Sequence, residues 1–279
     1  MPSLAQSLED SGLARIAKDI ETLAIPAVFL IPGVPSEDSC SRIGGRPNLP
    51  SELDWPIWHG EALPFVAQLD LTAIPEIEGL YLPRHGSLFF FYEGGLRAWG
   101  FKPEDEGSAR VIYAPSSLAD HTLRTPPEGV AAEMCFTGIT LKPEPGHVTL
   151  PDGQDQALER LMPTAEERKH YSEFLEAWHR QEPPLHRIGG HPEPVQGDPK
   201  LEAQLVSHGL YCGNPTGYQR GKELGLWAGA TDWKLLLQVD SDDSAGMMWG
   251  DVGCLYFLIR EQDLMRQMFD KVWLVFQCC

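Results

Sequence analysis

Three short sequence elements occur twice in this chain, in the same order. The first copy runs Arg42-Ile43-Gly44-Gly45-Arg46-Pro47, then Pro64-Phe65-Val66-Ala67-Gln68-Leu69-Asp70, then Gly86-Ser87-Leu88-Phe89-Phe90-Phe91. The second runs Arg187-Ile188-Gly189-Gly190-His191-Pro192, then Lys234-Leu235-Leu236-Leu237-Gln238-Val239-Asp240, then Gly253-Cys254-Leu255-Tyr256-Phe257-Leu258. From the first glycine to the glutamine is 24 residues in one copy and 49 in the other, and from the glutamine to the last glycine 18 and 15. Elastic spacing between rigid elements is what loop insertion does to a duplicated fold. The repeat predicts a β-rich α+β fold: a single domain over residues 1–279, with halves at 26–160 and 161–279 that share one body and carry flanking helices.

Local patterns fill in the elements. Leu13, Ile16, Ala17, Ile20 and Leu23 recur at helical spacing and predict an amphipathic helix over 11–24. Apolar or β-branched runs bounded by Gly and Pro predict strands at 27–31, 64–70, 87–92, 109–113, 133–142, 234–240, 253–259 and 271–277. Residues 35–62, rich in Pro, Gly and Trp, suit an ordered loop, and the polar stretch Pro143 to Gln156 suits the turn between halves. The capping box at Thr164 and Glu167 starts a helix over 164–181; others are expected at 198–208 and 261–269.

Composition narrows the function classes. The chain carries 40 acidic against 22 basic residues, a net charge of −18. Such a surface repels phosphate backbones and anionic lipid, so neither nucleic acid nor a membrane is the expected partner; a basic surface or cation fits better. No apolar run reaches membrane-spanning length, and the six cysteines form no framework of close pairs, which together suit a reduced, cytoplasmic protein.

The repeated residues have two readings. Gly44-Gly45 and Gly189-Gly190 read as backbone turns, and Gln68 and Gln238, set in apolar strands, read as buried clasps to the unpaired groups of those turns. Arg42 and Arg187 could pair with Asp70 and Asp240 or face a ligand carboxylate. Asymmetry is where function is expected, because catalysis or recognition needs distinct groups in distinct roles. The second half alone carries Asp240-Ser241-Asp242-Asp243 followed by Trp249-Gly250-Asp251. As a calcium loop this cluster lacks the glycine and the closing glutamate. His186, His191, His208 and Cys212 match no zinc spacing. Gly217 to Glu223 fails as a phosphate loop, and no nucleophile motif is present. Neither a metal nor a cofactor is expected.

Ser41-Arg-Ile-Gly-Gly-Arg-Pro-x-Leu-Pro50, Trp55-Pro56, Gln68-Leu-Asp70, Ile188-Gly-Gly-His-Pro-x-Pro-Val-Gln196, Leu-Leu-Leu-Gln238 and Trp249-Gly-Asp251-x-Gly-x-Leu-Tyr-Phe257 together resemble the YwqG-like family, a domain of unknown function numbered 1963. The resemblance covers about residues 26 to 277 and adds Gln196 to the clasp set. It implies a cytoplasmic, mostly bacterial α+β protein of duplicated design. It transfers no catalytic residue, and by association it suggests an immunity-protein-like role.

Two function classes follow. The first is a non-catalytic binding module for a protein partner or small ligand, with specificity at the seam of the halves around Arg42, Arg187, Asp240, Asp242, Trp249 and Asp251. The second is a hydrolase-like or metal-assisted enzyme assembled at the seam from Asp240, Asp242, Asp251, His186 and His191.

Overall fold

The computed structural model describes residues 3–35, 40–95, 97–116, 122–178 and 184–279. Ten strands form one antiparallel sheet: β1 Ile25–Pro35, β2 Arg42–Ile43, β5 Phe65–Asp70, β6 Ser87–Tyr92, β7 Ala109–Ala114, β8 Ile139–Thr149, β9 Arg187–Gly189, β10 Trp233–Asp240, β11 Cys254–Arg260 and β12 Trp273–Gln277. A separate hairpin joins β3 Ile57–Trp58 to β4 Glu61–Ala62. The helices are α1 Leu4–Leu8, α2 Ala17–Leu23, α3 Gln156–Glu159, α4 Ala165–Trp178, α5 Pro199–Val206, α6 Pro215–Glu223 and α7 Glu261–Met265. The architecture is mixed α+β.

The strand order is β12-β11-β10-β9-β1-β8-β2-β5-β6-β7. The long β1 and β8 pair at the centre. Outward from them, each flank presents a short Gly-Gly strand, a glutamine strand, an aromatic strand and a fourth strand. Corresponding irregularities fall at corresponding places: the pairing of β5 with β6 slips between Phe65 and Ala67, and that of β10 with β11 between Leu235 and Leu237. Each bulge thus lies two residues before its glutamine. Bulges add twist and bend a sheet, and here both flanks curl until their concave faces meet. Phe90 of β6 packs edge-on against Phe257 of β11, with ring centroids 5.1 Å apart. The main core fills this nearly closed interior and includes Val66, Leu88, Leu236 and Leu255.

The rim is finished by a loop rather than by another strand pair. Residues 97–108, in the connection between β6 and β7, reach across to the outer edge of β12, where Phe276 donates its N–H to the Trp99 carbonyl at 2.9 Å. The Trp273 indole donates to the Gly100 carbonyl, also at 2.9 Å.

Several elements differ from expectation. The helix over 11–24 is interrupted: Glu9–Leu13 forms a π-helical turn with Gly12 at φ +84°, and regular helix resumes at Ala17. The stretch from Pro143 to Gln156 is not a turn as far as Thr149, because β8 runs through it. Beyond Leu141, whose N–H donates to the Ser41 carbonyl at 2.9 Å, β8 pairs only with β1 among the described residues. Its other edge meets no described strand there, and Pro143 and Pro145 cost no sheet hydrogen bond. Residues 40–62, expected to lack regular pairing, hold β2 and the β3–β4 hairpin. The strand expected from 133 starts at Ile139, after a 3₁₀ turn at Ala132–Met134. The helix expected over 261–269 ends at Met265. Residues 179–181 of the expected α4 lie outside the described residues. Helix α6 was not expected, although Asn214-Pro215 is a start signal: the asparagine side chain accepts from Thr216 N–H at 2.9 Å, and proline takes the first helical position.

Candidate functional site

The repeated glutamines anchor two matching hydrogen-bond clusters. Gln68 is fully buried; its Oε1 accepts from Asn48 N–H (2.8 Å) and from the Arg42 guanidinium (3.2 Å), and its Nε2 donates to the Cys40 carbonyl (2.9 Å). Gln238 Oε1 accepts from Glu193 N–H (3.1 Å) and from Arg187 (3.1 and 3.2 Å), and its Nε2 donates to the Leu185 carbonyl (3.3 Å). In each cluster the acceptor carbonyl lies two residues before the arginine and the donor N–H six after it. Arg42 also donates to Asn48 Oδ1 and the Arg46 carbonyl, and Arg187 to Glu193 Oε2 at 3.0 Å. Gly44, Gly45, Gly189 and Gly190 all have φ between +61° and +74°. A Cβ on Gly44 would lie 2.2 Å from the Thr137 carbonyl oxygen. Gln196 acts elsewhere: its N–H donates to Gln277 Oε1 (3.1 Å) and its Nε2 to the Cys278 carbonyl (2.7 Å), fastening the end of β12.

The seam residues proposed from sequence are mostly internal. Arg42 is fully buried, and Arg187, 2% exposed, stacks over Phe29. Trp249 is 2% exposed, its ring against Tyr92 and Phe136. Asp251 stands exposed on the turn before β11. Asp240 accepts from the N–H groups of Leu185 and Ser241, and burial raises its pKa above the ordinary value. Asp242 accepts from Ser244 N–H (2.8 Å) and lies 3.2 Å from His186 Nε2. His186 Nδ1 accepts the Asp240 N–H, so Nε2 is the protonated nitrogen and donates to Asp242. The structure thus gathers His186, Asp240 and Asp242 and leaves Asp251 and His191 apart. His191 donates to the Leu23 carbonyl (2.8 Å), with its Nδ1 3.3 Å from Asp155, which also pairs with Lys200. Although burial opposes ionisation of Asp155, the His191 hydrogen bond and the Lys200 charge hold it well below the usual carboxylate range.

Burial alone would raise Asp242 as well, but the bonds from His186 and Ser244 bring it down to about 2. A depressed folded-state pKa adds stability above the unfolded value, about 4, and that stability is lost as pH falls from about 4 to about 2. The Asp242→Asn variant is expected to be less stable than wild type at pH 7 by about 1–3 kcal/mol. The gap should narrow by pH 2.5 in urea titrations, and a constant gap would remove Asp242 from the acid response.

An open cavity of about 730 Å³ lies at the β12 rim. Its aromatic walls are Trp99 and Phe101 from the closing loop, Phe276 from β12, and Tyr218 and Trp227 from α6 and the turn after it. Three carboxyl groups line it: Glu159, which pairs with Arg168, and Asp198 and Glu202, the cap and fourth residue of α5. Asp198 is 8% exposed; its Oδ1 accepts from Lys200 N–H at 2.9 Å, and its Oδ2 has no hydrogen-bond partner among the described residues. Burial lifts Asp198 to about 6. Glu202 accepts from the Tyr218 hydroxyl at 3.0 Å and is lifted by burial to about 7, with the charges of Asp198 and Asp105 adding to the rise. Burial, reinforced by Glu202, pushes the Cys212 thiol up to about 12 and away from thiolate chemistry. Such a cleft can hold a cation or exchange a proton near neutrality. Sequence reasoning missed it. The i, i+4 carboxyl pair on a capped helix was readable, but no spacing connects it to walls at 99–101, 218–227 and 276.

A nearly closed antiparallel sheet, with flanking helices and an aromatic cleft floored by carboxyl groups at one rim, defines an α+β protein with a preformed ligand-sized cavity. The chain belongs to the family described as a domain of unknown function (DUF1963), whose pattern matches residues 41–278. A comparison with curated proteins finds no match. The matched span begins after β1, yet β1 lies at the centre of the sheet. Among the described residues no helix is long and apolar enough to cross a membrane.

Proposed function

We propose that the protein is a cytoplasmic, non-catalytic binding module whose ligand occupies the cleft at the β12 rim. The observation that carries this reading is the pair of sheltered carboxyls in an aromatic-walled cavity of ligand size. Sheltering an acid that lacks a full set of partners costs stability, and such costs collect at functional sites. The net charge of −18 favours basic partners over nucleic acid or anionic lipid. The seam of the halves, and Asp251 on its exposed turn, remain the second place for a partner surface. The reading includes descent of the two flanks from one duplicated unit, supported by the matching clasps and bulges. A second function, acid–base catalysis, is favoured by Asp198 and Glu202 themselves, because two carboxyls raised toward neutrality are suited to proton transfer.

Filling the cleft tests the binding reading. Gly197 lines it with ordinary backbone angles, and a Cβ there would meet its nearest atom only at 4.0 Å. Gly197→Leu is expected to keep the wild-type melt while losing any small molecule that native mass spectrometry detects after incubation with a cytoplasmic extract. Retention of that molecule by the variant would place the site elsewhere, and conversion of it by wild type would establish the enzyme.

A further inference from the structure

We infer that the cleft selects a ligand bearing a primary ammonium group on a flat apolar body, with the cation seated between Glu202 and Asp198 and the body against the tryptophan and phenylalanine walls. This rests on the cleft being the binding site and goes further by naming the chemistry it takes. Three independent features converge. Asp198 Oδ2, on a side chain more than nine-tenths buried, has no partner among the described residues. Lys200, two residues on, is committed to Asp155. The walls are aromatic side chains, which attract cations and cover flat apolar bodies, and two of them, Phe101 and Trp227, already hold the Lys102 and Lys222 ammonium groups over their rings. The lining carries three carboxyls, Glu159, Asp198 and Glu202, and among the described residues no Lys or Arg, so it repels an anion. A neutral ligand would leave Asp198 as it is.

The charged and titratable groups around the pair set the pH response. Asp198 faces Lys200 and Asp155; Glu202 faces Tyr218, Asp105, Cys212 and Asp198; and Glu159, held by Arg168, lines the same cavity. Near pH 6.5 the free cleft holds protons that an incoming ammonium displaces, so binding releases protons and weakens as pH falls. Raised folded-state carboxyl pKa values also mean that stability drops as pH rises from about 4 to about 7. Neutralising one of the pair should therefore stabilise the empty protein at pH 8.

The probes are phenethylammonium, neutral phenethyl alcohol of the same shape, and Nα-acetyl-lysine methylamide, which represents a lysine side chain on a partner protein. Isothermal titration at pH 8 should show phenethylammonium binding at least tenfold tighter than the alcohol. Its affinity should fall at least fivefold by pH 5, with proton release seen on comparing two buffers at pH 6.5. Glu202→Gln, which keeps an acceptor for Tyr218, should lose about tenfold in affinity while its melting temperature at pH 8 rises by about 2–4 °C. Equal binding of the alcohol would overturn the cation anchor and leave the cleft reading standing. No binding of phenethylammonium would also overturn it, and the Gly197→Leu result then decides whether the cleft reading falls with it. Tighter binding of the lysine derivative than of phenethylammonium would overturn the flat apolar body and leave only the ammonium seat, occupied by a partner's lysine; the reverse order supports both parts and assigns the seat to a free amine.

Discussion

Replacing Gln238 by leucine is expected to lower the unfolding free energy by about 2–4 kcal/mol. The amide satisfies three partners at once: the Arg187 guanidinium, the Glu193 N–H and the Leu185 carbonyl. Leucine fills similar space but offers none of them a bond, and Arg187, 2% exposed, has little water to turn to. Its remaining carboxylate, Glu193, has a side chain 34% exposed, which weakens that ion pair as compensation. Urea unfolding at pH 7 measures the loss. The double variant Gln238→Leu with Arg187→Met should cost less than the two single losses combined, since the second change removes the cation the first has stranded. Gln68→Leu should act in the same direction on Arg42, Asn48 and Cys40. An unaltered urea midpoint in either leucine variant would show that these clusters do not hold the Gly-Gly turns to the sheet.

Gly100→Ala should cost about 2–4 kcal/mol and empty the cleft at the same time. Gly100 has φ +89°, a conformation that disfavours a side chain by about 1–2 kcal/mol on its own. A Cβ there would also fall 2.0 Å from the Leu274 carbonyl oxygen, which belongs to backbone and cannot swing aside. Relief requires lifting the closing loop from β12, with loss of the Phe276 to Trp99 and Trp273 to Gly100 hydrogen bonds. Trp99 and Phe101 are cleft walls on that loop, so ligand affinity should fall together with the melting temperature. Hydrogen exchange at Phe276 reports the detachment directly. A variant with wild-type melting and unchanged protection at Phe276 would disprove the role given to this loop.

The glutamine strands and their aromatic partners were readable because alternation, β-branching and Gly/Pro boundaries act within a few residues. Arg187 and Gln238 were readable as conspicuous polar residues in apolar runs, but not as partners. Their direct pairing depends on β9 lying beside β10 across 51 positions of chain. Asp242 and Trp249 looked like surface recognition groups in a one-dimensional reading. The turn between β10 and β11 instead folds inward, closing Asp242 on His186 and driving Trp249 among Tyr92 and Phe136. Pro143 and Pro145 argued locally for a turn, yet β8 accommodates them because the short β2 ends before them and no other described strand pairs with that edge.

By itself the sequence determined the repeated glycine turns and glutamine strands, the helix starts at Thr164 and Asp198, and the acidic surface, all of which follow from backbone freedom, short-range periodicity and composition. Only the tertiary structure decided the central pairing of β1 with β8, the curling of the flanks and the cleft. Sheet order depends on contacts between distant segments, and the cleft joins Trp99, Asp198, Glu202, Tyr218 and Phe276 through the loop that reaches from the β7 side of the sheet to β12. No residue's immediate neighbours carry that information, because burial and unsatisfied hydrogen bonds come into being only when those segments meet.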